Sequence, residues 1–258
     1  RLMKIVACFK VVRDERDLVV APDRTVTLDA CGLRVGDYDL NAIEAGVQLA
    51  ADGGESVALT VGGEEVRDSK LRKSVLSRGA GSLTAVVDPG LTTADVGVTA
   101  EVLAAAVGRI DGVDLVVCGE GSADRYAQQV GAQVAARLGL PYLNGVSKIA
   151  VSDDGLVVER TLDGVVETLE VPLPAVLSVT SDLNSPRIPT MKDILGAGKK
   201  PATDWSVADL GVALPGPAAV AGPERAPQSR QRAGVVYEAA QQQEFFDALR
   251  RLIGKDAK

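Results

Sequence analysis

Leu115-Val116-Val117-Cys118-Gly119-Glu120-Gly121-Ser122-Ala123-Asp124-Arg125-Tyr126-Ala127-Gln128-Gln129-Val130-Gly131 decides how this chain is read. Its apolar start is a short buried strand, the glycines and Ser122 interrupt it, and the loop is expected to open directly into a helix. At such a junction the first N–H groups of the helix have no intrahelical partner, and the macrodipole favours an anion there. Gly119, Gly121 and Ser122 would let a phosphate approach the main chain, so the stretch points to a nucleotide. An ordinary β–α turn, whose glycines only satisfy backbone geometry, stands beside that reading. The spacing is not a full G-x-G-x-x-G fingerprint, and no acidic ribose reader follows at the expected distance. Asp124 fits a helix cap better than a phosphate contact, because two anions repel. Tyr126, Gln128 and Gln129 either hydrogen-bond a base or sugar or face solvent.

Upstream of this stretch, strands and helices alternate. Residues 3–10 read as a first strand, residues 41–51 as a helix, and residues 56–61 as a β-branched strand ending at Gly62-Gly63. A basic amphipathic helix over 66–77, a strand over 83–87, an alanine-rich helix over 93–110 and a strand over 114–118 follow. That rhythm indicates a parallel sheet with helices on both faces. Downstream, residues 156–161 and 165–171 flank Asp163-Gly164, a hairpin signal that adds antiparallel strands. Residues 175–180 form another buried strand. A turn-rich run then leads to a short helix near 191–195, ended by Gly196 or Gly198. Residues 201–233, rich in Pro, Ala and Gly, read as an extended arm. A terminal helix over 238–253 gathers Phe245, Phe246, Leu249, Leu252 and Ile253 on one side. The division expected is a nucleotide-binding α/β domain over 1–200 and an arm with its helix over 201–258.

With 258 residues, 46% of them hydrophobic, the chain can bury a large core. A formal charge of −7 argues against nucleic acid as a partner. The chain contains no histidine, which removes Ser-His-Asp and Cys-His machinery and His-ligated metals. Cys8, Cys31 and Cys118 are widely spaced with no CxxC pair, so neither a metal site nor a disulfide framework is expected. No apolar run reaches the roughly 18–20 residues of a membrane span, and no secretory pattern opens the sequence, so a cytoplasmic location is expected. Gly196-Ala197-Gly198-Lys199-Lys200 is not a P-loop, since Asp193 and Lys200 stand where glycine and Ser/Thr are required. Lys70, Arg72, Lys73 and Arg78 read as a solvated helix face. Asp37-Tyr38-Asp39 either caps the helix that follows or lines the cleft after the first strand.

Four separated motifs resemble one family in type and order. They are residues 38–45 (Tyr-Asp-Leu-Asn-Ala-Ile-Glu-Ala), the loop from Gly119 to Gly131, residues 158–164, and residues 173–187. The chain resembles the β subunit of electron transfer flavoprotein, most closely its Fix-type branch, over about residues 3–200. The resemblance implies a Rossmann-like α/β fold of the adenine-nucleotide α-hydrolase-like kind, without hydrolase activity. It also implies an α subunit carrying the electron-transferring FAD, and dehydrogenase or membrane oxidoreductase partners. In that family the β subunit buries AMP or, in bifurcating members, a second FAD. The matching positions are Cys8, Gly36, Asp37, Tyr38, Asp39 and Gly62, with Gly119, Glu120, Gly121, Ser122, Ala123, Asp124, Arg125, Tyr126, Ala127, Gln128, Gln129 and Val130. Most members have Asn-Pro-Phe at Gly36-Asp37-Tyr38. The loop that anchors partner dehydrogenases corresponds to Arg187, Ile188, Pro189, Thr190, Met191 and Lys192, with Met191 in place of the usual leucine.

A histidine-free, acidic chain with a nucleotide loop and a long arm fits a binding and docking subunit whose cofactor carries the redox chemistry. The arm and terminal helix would then bury Phe245 and Phe246 against the α subunit. Two other classes remain open at this level. An ATP-using enzyme on the same scaffold would need a Ser-Gly-Gly-type loop after the first strand, where Phe9-Lys10-Val11-Val12 stands. A stand-alone nucleotide sensor would leave the arm without a partner.

Overall fold

Residues 2–214, 216, 222, 224–229 and 234–254 are described by a computed structural model. The rest of the expected arm, between 215 and 233, lies outside the described residues. The chain divides into two units: residues 1–19 with 27–223, and residues 20–26 with 224–258.

The first unit is built on nine strands, of which those around residues 4–8, 82–87, 115–119 and 175–179 are apolar almost without interruption because both sheet faces are covered there. In chain order they are β1 (Lys4–Cys8), β2 (Glu55–Gly62), β3 (Ser82–Val87), β4 (Leu115–Gly119), β5 (Tyr142–Val151), β6 (Leu156–Leu162), β7 (Val165–Val171), β8 (Ala175–Val179) and β9 (Ala202–Trp205). They form one nine-stranded sheet in the order β7-β6-β5-β8-β4-β1-β2-β3-β9. From β5 to β9 every neighbouring pair is parallel, while β6 pairs antiparallel with both β5 and β7. Asp163 and Gly164 turn the β6–β7 hairpin with φ of 46° and 80°, the left-handed pair that such a two-residue turn demands.

The helices of this unit are α1 (Asp37–Leu49), α2 (Ser69–Ser77), α3 (Val96–Arg109), α4 (Val130–Leu138) and α5 (Met191–Ala197). Alternate residues of β1 show the two covered faces. Val6 and Cys8 pack with α3 and α4, through Val102, Ala106 and Val134. Ala7 lies in the cluster of α1 and α2, with Ile43 and Val75. Burying a side chain such as Ile5 or Ile43, both at 0% exposure, contributes about 1.5–3 kcal/mol each.

Three details differ from the sequence reading. Ala202–Trp205, expected in the arm, pairs parallel with β3 as the sheet's edge strand. Tyr142–Val151 is a ten-residue strand that periodicity missed, because its burial is irregular. The expected basic helix over 66–77 divides into a short 3₁₀ turn, Glu64–Arg67, and α2. Asp68 makes the break, its carboxylate accepting the Lys70 and Leu71 amides at 2.9 Å.

The second unit holds α6 (Gln242–Ile253), preceded by a 3₁₀ turn over Ala239–Gln241. A bridge between Thr25 and Arg225 joins its two chain segments. Phe245 lies edge-on to Tyr237, with centroids 5.6 Å apart. Leu252 and Ile253 are about two-thirds exposed and Phe246 about half.

Candidate functional site

The carboxyl ends of β1 and β4 stand side by side, and the loops leaving them border the candidate crevice. Cys8 closes β1 and Gly119 closes β4. Parallel pairing of Ala7 with Val117 places Cys8 next to Cys118, and their thiols hydrogen-bond. That bond, together with burial, pushes the Cys8 thiol well above its ordinary pKa, so the floor is neutral and unreactive.

Asp39, in the first turn of α1, ties three segments together. Its buried carboxylate accepts the Lys10 amide at 2.8 Å and also the Gly119 amide. Burial raises its pKa to about 7, against the opposing pull of the Lys10 amide and ammonium. Gly119 is required at this point. A Cβ there would lie 2.6 Å from Asp39 Oδ1 and 2.8 Å from the Tyr38 backbone. Gly36 is packed similarly, 2.8 Å from Asp39 Oδ2.

Beyond Gly119 the loop folds back on itself before any helix begins. Tyr126 covers Gly121, where a Cβ would meet its ring at 2.5 Å, and its hydroxyl donates to Glu120 at 2.8 Å. That hydrogen bond pushes the Tyr126 phenol well above its ordinary value. The Tyr126 ring also lies 5.4 Å from that of Tyr38, joining the loop to α1. Tyr126 and Gln128 take positive φ, 45° and 56°, which no helix accommodates. The helix therefore starts at Val130 rather than directly after the glycines.

This displaces Asp124 from the cap expected of it. Its carboxylate instead pairs with Lys10 Nζ at 2.6 Å, across the mouth of the crevice. Burial opposes ionisation of Asp124, and hydrogen bonds from Lys10 and Ser122 outweigh it, so it titrates below the usual carboxylate range. Asp37 likewise points elsewhere, to Arg34 at 2.8 Å. It belongs to the first turn of α1, which starts four residues earlier than the expected residue 41.

The helix ends differ in a telling way. α2, α3 and α5 begin with side-chain caps from Asp68, Asp95 and Thr190. α1 and α4, whose N-termini follow Gly36 and Gln129, have none, and neither has α6 in the second unit. In α1 the Asp39 amide is taken by the Gly36 carbonyl at 3.1 Å, while no side chain takes the first-turn amides of α4. Gly36, Tyr38, Asp39, Gly119, Glu120, Gly121, Ser122, Asp124 and Tyr126 are thus linked by direct contacts, while Cys8 touches the neighbouring Cys118. Arg125, Ala127, Gln128 and Gln129 are exposed along the loop, and Ala123 lies between them and Gly36. Gly62 stands apart at the end of β2, against Val66 and Glu65. Lys10 is the residue the sequence reading missed. As the charged end of a strand it looks like a solvated terminus, and only the fold brings Asp124 to it.

Arg187, Ile188 and Pro189 run into α5, Thr190 caps it, and Met191 and Lys192 form its first turn. Ile188 is 91% exposed and Met191 71%. Ile194 and Leu195 extend this apolar surface. Their one-four-five spacing after the Thr190–Asp193 capping box was the available sequence signal.

The fold is that of a mixed α/β protein with a largely parallel sheet, and open sheets of this kind offer ligand sites at the carboxyl ends of their strands. Residues 26–210 match the family model described as the electron transfer flavoprotein domain, and the chain belongs to that family. Membership is consistent with a β-subunit-like protein acting as a non-catalytic electron-transfer carrier. The domain generally binds FAD in this family and implies a heterodimeric partner subunit. No described helix is long and apolar enough to cross a membrane, and no metal-binding cluster occurs among the described residues.

Proposed function

We infer that this chain is the β subunit of a heterodimeric electron transfer flavoprotein, of the Fix-type branch, on a Rossmann-like adenine-nucleotide scaffold in the cytoplasm. The crevice under the 119–130 loop holds an adenine nucleotide, AMP or the adenylate half of a second FAD. The observation that carries this is the pair of uncapped helix ends at α1 and α4, beside a crevice whose glycines leave no room for a Cβ. Lys10 supplies the cation, exchanging Asp124 for a phosphate. The phenols of Tyr38 and Tyr126 and the amides of Gln128 and Gln129 are placed to meet sugar or base. With AMP the site is structural; with FAD the flavin supplies a second redox centre, and the protein fixes its distance and surroundings.

The α subunit carries the main FAD. The second unit covers it with the apolar face of α6, and the surface at Arg187–Lys192 docks a dehydrogenase or membrane oxidoreductase. The test is to purify the two subunits together and record the visible spectrum. The reading expects a flavin spectrum from a stable pair, and an assembled pair without flavin contradicts it.

A further inference from the structure

The segment carrying Ile188, Met191, Ile194 and Leu195 exposes four large apolar side chains, three of them from a helix of seven residues. So short a helix does not hold its own conformation in water, so its pose must be imposed from its ends. Both ends are fixed by charged groups reaching into the body of the first unit.

Where the chain leads in, Arg187 gives three hydrogen bonds to the Glu44 carboxylate: its amide at 3.2 Å, Nε at 2.7 Å and Nη2 at 2.9 Å. Glu44 is 5% exposed in the middle of α1, and Gln48 donates to it at 2.7 Å. One turn earlier, Asn41 and Asn184 exchange hydrogen bonds: Asn41 Nδ2 donates to the Asn184 carbonyl at 2.8 Å, and Asn184 Nδ2 to the Asn41 carbonyl at 3.1 Å. Where the chain leaves, Lys200 Nζ donates to the Leu76 carbonyl at 2.8 Å and the Ala80 carbonyl at 2.7 Å, closing the C-terminal end of α2. Between the two anchors, Ala197 is fully buried among the side chains of α2.

A carboxylate buried in a helix that packs on a sheet is costly unless paired. Here its partner is the residue at the base of the exposed segment. We propose that Glu44 and Lys200 are positioning residues that clamp residues 188–199 at both ends and hold its apolar side chains outward as a preformed docking platform. The clamp rests on the docking reading of residues 187–192 only for its purpose.

The test measures amide hydrogen exchange over residues 188–196 in the full chain purified with its partner subunit, comparing Glu44→Gln and Lys200→Met. Each variant is expected to speed exchange there about tenfold, with flavin content per pair unchanged. Arg187→Lys keeps the charge but loses the fork and should fall between these variants and the unaltered protein. If Glu44→Gln does not fold, Lys200→Met, whose side chain is on the other anchor, carries the comparison. Unchanged exchange in the variants that fold overturns the clamp. Faster exchange with electron transfer to the dehydrogenase intact supports the clamp and contradicts the docking reading.

Discussion

Asp39 shows how one side chain can bind a site together and still oppose its own ionisation. It links β1, α1 and β4 through the Lys10 and Gly119 amides, yet burial raises its pKa to about 7. A carboxyl raised in the folded state stabilises the fold fully below its unfolded pKa. That contribution disappears as pH rises through the folded pKa, here between about 4 and 7. Asp39→Asn keeps one acceptor for these amides and removes the charge. Thermal melts from pH 5 to 8 should show that the variant lacks this decline, with a gain on the order of 1–3 kcal/mol at pH 8. An identical pH slope in both proteins would show that Asp39 is ionised without penalty. Glu44 is the opposite case. Burial raises its carboxyl, and the Arg187 and Gln48 hydrogen bonds outweigh that and lower it, so it is a paired anion at neutral pH. Neither role was visible in the sequence. Asp39 reads as one of several acids at a helix start, and Glu44 as an ordinary polar residue in an amphipathic helix. Their burial depends on β4 and on residues 184–187, far away in the chain.

At the scale of elements, much was legible, because continuous apolar runs and turn residues carry local information. The strands around residues 4–8, 55–62, 82–87 and 115–119 lie within two residues of their expected positions, and the Asp163-Gly164 hairpin forms as its turn chemistry requires. What failed was helix starts. α1 begins four residues early because Gly36 and Asp39 pack against the crevice, and α4 begins late because Tyr126 and Gln128 hold left-handed backbone. The strand at Ala202–Trp205 was unreadable in a Pro- and Ala-rich context, since only its pairing with β3 defines it. The uncapped end of α4 gives a prediction at this scale. Gln129→Asp places a carboxylate at the N-terminal end of α4, where the macrodipole favours it, and should stabilise the free chain by about 0.3–1 kcal/mol. It should also weaken nucleotide binding about tenfold by placing an anion beside the phosphate. A variant that is more stable but binds unchanged, by titration calorimetry with AMP, would mean that α4 does not face the ligand.

For the whole molecule, family membership is consistent with a carrier, here built on a wide, largely parallel sheet with large apolar side chains exposed on α5 and α6. Of the four motifs behind the family resemblance, residues 38–45 and 119–131 fall at the crevice, 173–187 lead toward α5, and 158–164 lie on β6 and its hairpin turn. The sequence reading missed Lys10, Ile194 and Leu195, whose roles arise only when the crevice and α5 are assembled. The most direct measurement is the adenine-nucleotide content of the assembled pair, extracted by denaturation and weighed by mass spectrometry, for the natural chain and for Gly119→Val. The account predicts one adenine nucleotide per β chain beyond the FAD of the α subunit, lost in the variant whose added side chain crowds Asp39 and Tyr38. A natural pair that releases only the FAD of the α subunit would contradict it.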